Sequence, residues 1–230
     1  MIKNYDDFIS ALFDAGFSGA IGGKDDGVFG LFRYGWGAED ENRIYWHTGD
    51  PDTDPWEWRM RVLNERGDIA YSKIFFRKAG YITKEWYPYF LAARRKNKSF
   101  DEMYADGIYS NYAKRIYEIL RENDSLPFHE IKLLGGFEKK ENSKFEKALT
   151  DLQMGLFITM SGMQQKVSRI GIEYGWFSTV FCTTERFWDI GVFDEAAGIT
   201  PDEAEEKIAE RILELNPSAD EKKIIKFIRG

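Results

Sequence analysis

The order of elements after Asn111 restricts the folds open to this chain more than any other feature. Ala113, Ile116, Tyr117 and Leu120 stand at i, i+3, i+4 and i+7, the apolar stripe of a first helix. Pro127 opens a second, with Phe128, Ile131 and Leu134 as its buried face and Gly135-Gly136 as its stop. Ser143-Lys144-Phe145-Glu146 has the form of a capping box for a third, in which Phe145, Ala148, Leu149 and Leu152 repeat the stripe before Gly155. Leu156 to Met160 then reads as a strand, Ser161 to Gly175 as a polar loop and Trp176 to Thr184 as the returning strand. Three helices with one apolar face each, then a hairpin, is the order of a winged helix-turn-helix, the third helix being the recognition helix and the loop the wing. Trihelical cores with a hairpin also occur as protein-protein modules.

The flanks are punctuated by capping signals. Tyr5 to Ala15 reads as a helix stopped by Gly16, and the glycine-rich stretch to Gly37 suggests short strands joined by tight turns. Asp54-Pro55-Trp56-Glu57 is a helix start, so 55–66 is expected helical with Gly67 as its stop. Ile69 to Phe76 is expected as a strand, Lys78-Ala79-Gly80 as a turn, and Thr83 as the cap of a helix running to Arg95. Ser99-Phe100-Asp101-Glu102 repeats the capping-box pattern. Two further helices open at Thr200-Pro201 and at Ser218-Ala219, carrying Ala204, Ile208, Ile212 and Leu215, then Ile224, Ile225 and Ile228. The expected whole is an α+β protein: an aromatic-rich mixed α/β N-terminal region over 1–110, a winged-helix module over 111–190 and a helical C-terminal tail over 191–230.

Composition then narrows the function classes. No stretch approaches the roughly 18 apolar residues of a membrane span, and the opening Met-Ile-Lys-Asn-Tyr-Asp-Asp does not read as a signal peptide, so a cytoplasmic location and no membrane partner are expected. Cys182, His47 and His129 are too few to assemble a Cys/His zinc site, which leaves only an all-carboxylate site open; no metal and no cofactor are expected. Net charge −7 opposes global capture by nucleic acid, so any such role needs a local basic face. The charges divide accordingly: 15 basic and 18 acidic residues over 1–110, 11 and 11 over 111–190, and 6 and 10 over 191–230.

Within the neutral central segment, Lys139, Lys140, Lys144 and Lys147 cluster at the start of the third helix, where backbone N–H groups also favour phosphate. Lys166 and Arg169 fall in the wing, with Gln164-Gln165 able to bond bases or backbone. The plainer account is a solvated helix end, partly compensated by Glu138, Glu141 and Glu146. Arg94-Arg95-Lys96 and Lys98 form the densest basic run, which a helix C-terminus attracts through its dipole alone. Trp46, Trp56, Trp58 and Arg59 are a candidate pocket: on a helix one tryptophan can be core while the other stacks on a flat ligand. Asp50, Asp52 and Asp54 could hold a cation, but Pro51 and Pro55 make a capped turn the simpler account. No pattern identifies a catalytic residue.

The runs Asp54-Pro55-Trp56-Glu57-Trp58-Arg59, Ile69-Ala70-Tyr71-Ser72-Lys73-Ile74-Phe75 and Tyr81 to Phe90 resemble bacterial AlkZ-related winged-helix proteins. Lys147 to Gln153, Leu156-Phe157-Ile158 and Thr184-Glu185-Arg186-Phe187-Trp188 are similar to their winged-helix module, so the resemblance covers about 55–190. It implies kinship with the AlkZ/YcaQ DNA glycosylases, which embrace DNA with tandem winged helices and remove alkylated or cross-linked bases. Their catalytic motif is a glutamine, one residue and another glutamine. This chain has Gln153, Gln164 and Gln165 and no pair at that spacing, so no catalytic glutamine carries over. The expectation is therefore binding of double-stranded DNA, damaged DNA included, without glycosylase activity. The alternatives are a DNA glycosylase or other hydrolase with the Trp/Arg-lined pocket, and a winged-helix module for a protein partner, which the pI near 5.1 favours.

Overall fold

The computed structural model describes residues 2–19, 28–31, 46–167 and 171–230. The expectation of short strands between Gly16 and Gly37 lies largely outside them. The fold is α+β, built on a mixed set of helices and one six-stranded antiparallel sheet.

Helix α1 (Tyr5–Ala15) is capped by Asn4, whose side chain accepts from Asp7 N–H, and stops at Gly16 with φ 90. Strand β1 (Phe17–Ser18) follows. Asp54 caps α2 (Pro55–Glu65) by accepting from Trp56 N–H, with the N1 proline in place. Then come β2 (Ile69–Phe75), β3 (Lys78–Thr83), α3 (Tyr87–Arg95) and α4 (Phe100–Ala105), the last closed by a full Ser99/Glu102 capping box. The next elements are α5 (Asn111–Glu122), β4 (Leu126–Pro127), α6 (Phe128–Leu134) and α7 (Asn142–Met154), then β5 (Ile158–Val167) and β6 (Glu173–Thr183). Four helices close the chain: α8 (Thr184–Phe187), α9 (Ile190–Ala197), α10 (Pro201–Leu215) and α11 (Glu221–Arg229).

The strands run β1-β3-β2-β5-β6-β4 across the sheet. Its two halves meet where Tyr71 on β2 pairs with Met160 on β5. The short β4, between α5 and α6, pairs with β6 through Leu126↔Phe181 and Pro127↔Val180, so the helical trio is stitched to the end of its own hairpin.

Several expectations need correction. The hairpin between β2 and β3 turns at Phe76 and Arg77, at φ 49 and 61, and Lys78-Ala79-Gly80 is strand. A two-residue turn of this twist needs positive φ at both central positions, and here ordinary L-residues supply it. Thr83 ends β3 and does not cap α3; its hydroxyl donates to Gly16 O at 2.9 Å. The third helix starts at Asn142, not behind a Ser143 box, because a 3-10 turn over Lys139–Glu141 precedes it and Glu141 Oε2 accepts from Glu138 N–H at 2.9 Å. Leu134 is 59% exposed: α6 ends there, and Phe137, turned back by Gly136 at φ 60, packs on Phe145 with ring centroids 4.7 Å apart. Ile225 is likewise exposed, and Phe227 takes the inward position beside Ile224 and Ile228. The loop expected over Ser161–Gly175 is largely hairpin: Gln164 pairs with Ser178 and Lys166 with Tyr174, across a register shift. Polar side chains do not prevent pairing in a ladder held by backbone groups, and the bulge absorbs the extra residues.

Packing divides into three clusters. Phe145, Ala148, Leu149 and Leu152 of α7 meet Ala113, Ile116 and Leu120 of α5 and Phe181 of β6. Phe8 and Leu12 of α1 meet Trp58, Val62 and Tyr81. The largest joins α3, α9, α10 and α11 to one another and to β2 and β3, with Phe75 and Phe227 stacked at 3.8 Å.

Arg94 stands where this cluster meets α7. Its side chain is buried, with Nε donating to Ile228 O at 2.7 Å, Nη2 to Phe227 O at 2.9 Å and Nη1 to Met154 O at 2.7 Å. One guanidinium thus answers the open carbonyls at the C-termini of two helices. Burial pushes it down to about 10, still charged at neutral pH. Arg95 is committed next to it, to Leu156 O and to Thr184 Oγ1 at 2.7 Å, so the basic run of α3 turns its two arginines inward.

We expect Arg94→Met to lower the unfolding free energy by about 3 kcal/mol or more, since three carbonyls lose their donor; urea denaturation checks it, and Arg94→Lys should not restore the loss. Cys182 is buried, which pushes its thiol up to about 11. In the native protein it should therefore resist thiol reagents at about pH 8 and react only after denaturation.

Candidate nucleic-acid interface

The outward side of α7 is set by what its inward side buries. With Phe145, Ala148, Leu149 and Leu152 in the core, Ser143, Lys144, Glu146 and Lys147 are left exposed. Lys139 and Lys140 stand just before them on the 3-10 turn. The Lys140 side chain is 77% exposed and its Nζ lies 2.8 Å from Glu138 Oε2. Lys144 Nζ is 5.6 Å from the centre of the Tyr112 ring, whose hydroxyl donates to Glu141 Oε1 at 2.8 Å. The Glu138 N–H and then the Tyr112 hydroxyl hold the Glu141 carboxyl below its ordinary value, so it remains an anion and fixes the turn that presents the lysines.

Further along, α7 is met by the β2–β3 hairpin. Lys147 Nζ is 2.6 Å from Asp151 Oδ2, and Arg77 Nη1 donates to Asp151 Oδ1 at 2.7 Å from the other side. Gln153, two residues on from Asp151 and buried, accepts through Oε1 from Ser72 Oγ at 2.8 Å and from Lys73 N–H at 3.0 Å, while its Nε2 donates to Leu149 O at 3.0 Å. A buried amide with both ends engaged pins the N-terminal half of the sheet to α7.

Between α7 and the β5–β6 hairpin lies a cleft of about 340 Å³. Leu149, Thr150, Gln153 and Glu146 line it from α7 and Met160, Lys166, Phe177 and Ser178 from the hairpin, with Lys73 of β2 and Phe128 of α6 also bordering it. Lys166 therefore faces the same space as α7. Gln164 is exposed on β5, and Gln165 Nε2 donates to Gly175 O at 2.7 Å. Arg169 lies outside the described residues.

The four residues of the aromatic candidate pocket do not share one environment. Trp58 is fully buried, stacked on Phe8 at 5.3 Å, with Nε1 donating to Asp52 O at 2.9 Å. Trp56 is 39% exposed, and the Arg59 guanidinium lies over its ring at 3.2 Å with the His47 ring 4.7 Å away. Trp46 is half-buried and packs at the margin of the Trp58 cluster. Asp54 is wholly buried: burial alone would raise its carboxyl, but N–H groups of Gly49, Trp56, His47 and Thr48 hold it below the ordinary value. Asp50 accepts from Asp52 N–H and Thr53 Oγ1, so these aspartates build a turn. Among the described residues no cluster of three or more His, Cys, Asp or Glu could hold a metal ion.

Sequence reasoning missed Lys73 and Arg77 as neighbours of α7, and missed the bonds that Gln153 of α7 makes to β2. The one signal was Gln153 itself, a polar residue beside the apolar stripe of a helix.

A family model described as AlkZ related matches residues 2–229. The chain belongs to the AlkZ-related family. The match extends beyond the 55–190 of the sequence resemblance and takes in the aromatic N-terminal part and the C-terminal helices as well. The AlkZ-related family relates the chain to DNA-repair glycosylases. Comparison with curated proteins and with solved structures finds no match. In this AlkZ-related chain no described helix is long and apolar enough to cross a membrane.

We expect Gln153→Ala to cost about 1–3 kcal/mol of stability in a chemical denaturation, because Ser72 Oγ and Lys73 N–H lose their buried acceptor.

Proposed function

We propose that the protein binds double-stranded DNA, damaged DNA included, through a winged helix formed by α5, β4, α6, α7 and the β5–β6 hairpin. The observation that carries this reading is the pairing of β4 with β6. It gives the order helix, strand, helix, helix, strand, strand, with the first strand returning to the last, as a winged helix requires. In that frame α7 is the recognition helix and the β5–β6 hairpin the wing. The residues over 1–110 and 191–230 act as flanking regions that buttress this module over 111–190.

Lys139, Lys140, Lys144 and Lys147 would meet phosphates at the entry of α7, with Lys166, Gln164 and Arg169 reaching the duplex from the wing. Exposed lysines in loose ion pairs give these up at little cost, since surface pairs are worth about 0–1 kcal/mol. Kinship with DNA-repair glycosylases supports a DNA partner. Base excision is not part of the proposal: Gln153 is spent on Ser72, Lys73 and Leu149, and Gln164 and Gln165 are adjacent on one strand.

A second reading, a module for a protein partner, has one observation in its favour: Leu133 is 78% and Leu134 59% exposed on α6. The exposed side of α7 offers it nothing apolar. The Trp56–Arg59 stack gives a hydrolase pocket little room, because the guanidinium already covers one face of the ring.

Replacing Lys139, Lys140 and Lys144 together with Glu should weaken binding of a fluorescent duplex at least about tenfold and flatten its salt dependence by about one phosphate contact per lysine. The melting temperature should stay unchanged. Fluorescence anisotropy across a salt series checks this, and an unaltered affinity would remove the α7 entry from the interface.

A further inference from the structure

We infer that the cleft between α7 and the β5–β6 hairpin receives one unpaired nucleotide of the bound DNA strand, its base against Phe177 and its phosphates between Lys73 and Lys166. The inference rests on the DNA-binding reading and adds a ligand for a surface that reading leaves empty.

The cleft has the size and the chemistry for it. Its volume, about 340 Å³, falls within the range of about 300–1,000 Å³ common to small-ligand sites. Phe177 is 63% exposed, an aromatic face turned to water on a strand, and Phe128 and Met160 also border the space. Unstacked bases are held by such faces, because every base has a π surface to cover. The cations stand apart on different elements, Lys73 on β2 and Lys166 on β5, and neither is in an ion pair among the described residues.

The lining also offers directional groups. The Glu146 carboxylate can accept from an exocyclic amine, as acidic side chains do from cytosine. Gln153 retains one amide N–H after its bond to Leu149 O, and Thr150 Oγ1, which donates to Glu146 O at 2.9 Å, retains acceptor capacity. A base that carries an exocyclic amine beside a ring acceptor fits this set, and cytosine is the smallest such base.

A strand is favoured over a free nucleotide by what lies beyond the cleft. Lys147 and Lys144 continue the positive charge along α7 towards Lys140, a path for further phosphates. The β2–β3 hairpin covers the second half of α7 through Arg77–Asp151 and Gln153–Ser72, so a straight duplex cannot lie along the whole helix. DNA that engages the entry of α7 is thereby delivered to the cleft at the covered half, where an unpaired nucleotide can enter and a paired one cannot.

The test compares anisotropy of the full-length protein on a fluorescein-labelled duplex with a single cytosine bulge and on its fully paired counterpart. The bulged duplex should bind at least about tenfold tighter, and Phe177→Ala should remove that preference while leaving binding to the paired duplex intact. Lys73→Glu, on another element, should do the same, with melting temperatures confirming that both variants fold. Equal affinity of the wild-type protein for both duplexes, or a preference that survives both substitutions, overturns the inference and leaves the DNA-binding reading standing. Absence of binding to either duplex overturns both. Displacement of the bulged duplex by excess cytidine monophosphate as effectively as by the unlabelled duplex would make the cleft a free-nucleotide site and overturn the strand as its source.

Discussion

The guanidinium of Arg94 is the junction on which the arrangement of this protein depends. It carries a full charge into the interior and makes that tolerable by giving three of its N–H groups to carbonyls that no intrahelical bond can reach, at the ends of α7 and α11. The two helices belong to different cores and are remote in sequence. Through Arg94 the C-terminal helices act as a brace for the helix that carries the proposed DNA-binding surface. Arg95 extends the junction to Leu156 and Thr184, the two ends of the β5–β6 hairpin. The two arginines of a basic run that looks like a phosphate grip are thus an internal fastener, while Lys96 and Lys98 of the same run stay exposed.

The distribution of charge follows from this division of labour. The chain as a whole is acidic, and its tail region most of all, yet the entry of α7 and the walls of the cleft gather Lys139, Lys140, Lys144, Lys147, Lys73 and Lys166. Cations gathered on an otherwise acidic body can orient an approaching polyanion, and α11 carries a second exposed set in Lys222, Lys223 and Lys226. The fixed carboxylates near that face, Glu141 held by Glu138 and Tyr112, and Asp151 held by Lys147 and Arg77, are structural anions with their bonds already made.

How much of this was legible in the sequence depended on range. Signals that act within one turn were readable: the Gly16 stop, the Asp54, Ser99 and Thr200 caps, and the stripe of Ala113, Ile116, Tyr117 and Leu120 that turned out buried. Local patterns also misled where two residues competed for one role, as when Glu138 and Glu141 closed the turn ahead of Ser143, or Phe137 took the inward place expected for Leu134. The turn at Phe76-Arg77 carries no glycine or asparagine to announce positive φ; contacts remote in sequence hold it, Arg77 on Asp151 and Phe76 on Phe227. The cleft was not legible at all, because Ser72 and Gln153 meet across 81 residues and nothing in either segment names the other. For the same reason Trp56 and Trp58 could be told apart as outside and inside only by the fold.

The sheet itself has a crease. Its N-terminal strands and its hairpin strands share the Tyr71↔Met160 pair, whereas the ladders within each half run for several residues. Lys73 stands on one side of that crease and Lys166 on the other, so a small rotation of the halves changes the gap between these two lysines while leaving the distances inside each half as they are. The Gln153 amide and the Arg77–Asp151 pair tie β2 and the β2–β3 turn to α7, which packs with the hairpin strands in one core, and so oppose that rotation. The gap between Lys73 and Lys166 is therefore held by side-chain bonds to α7 as well as by the one strand pair at the crease.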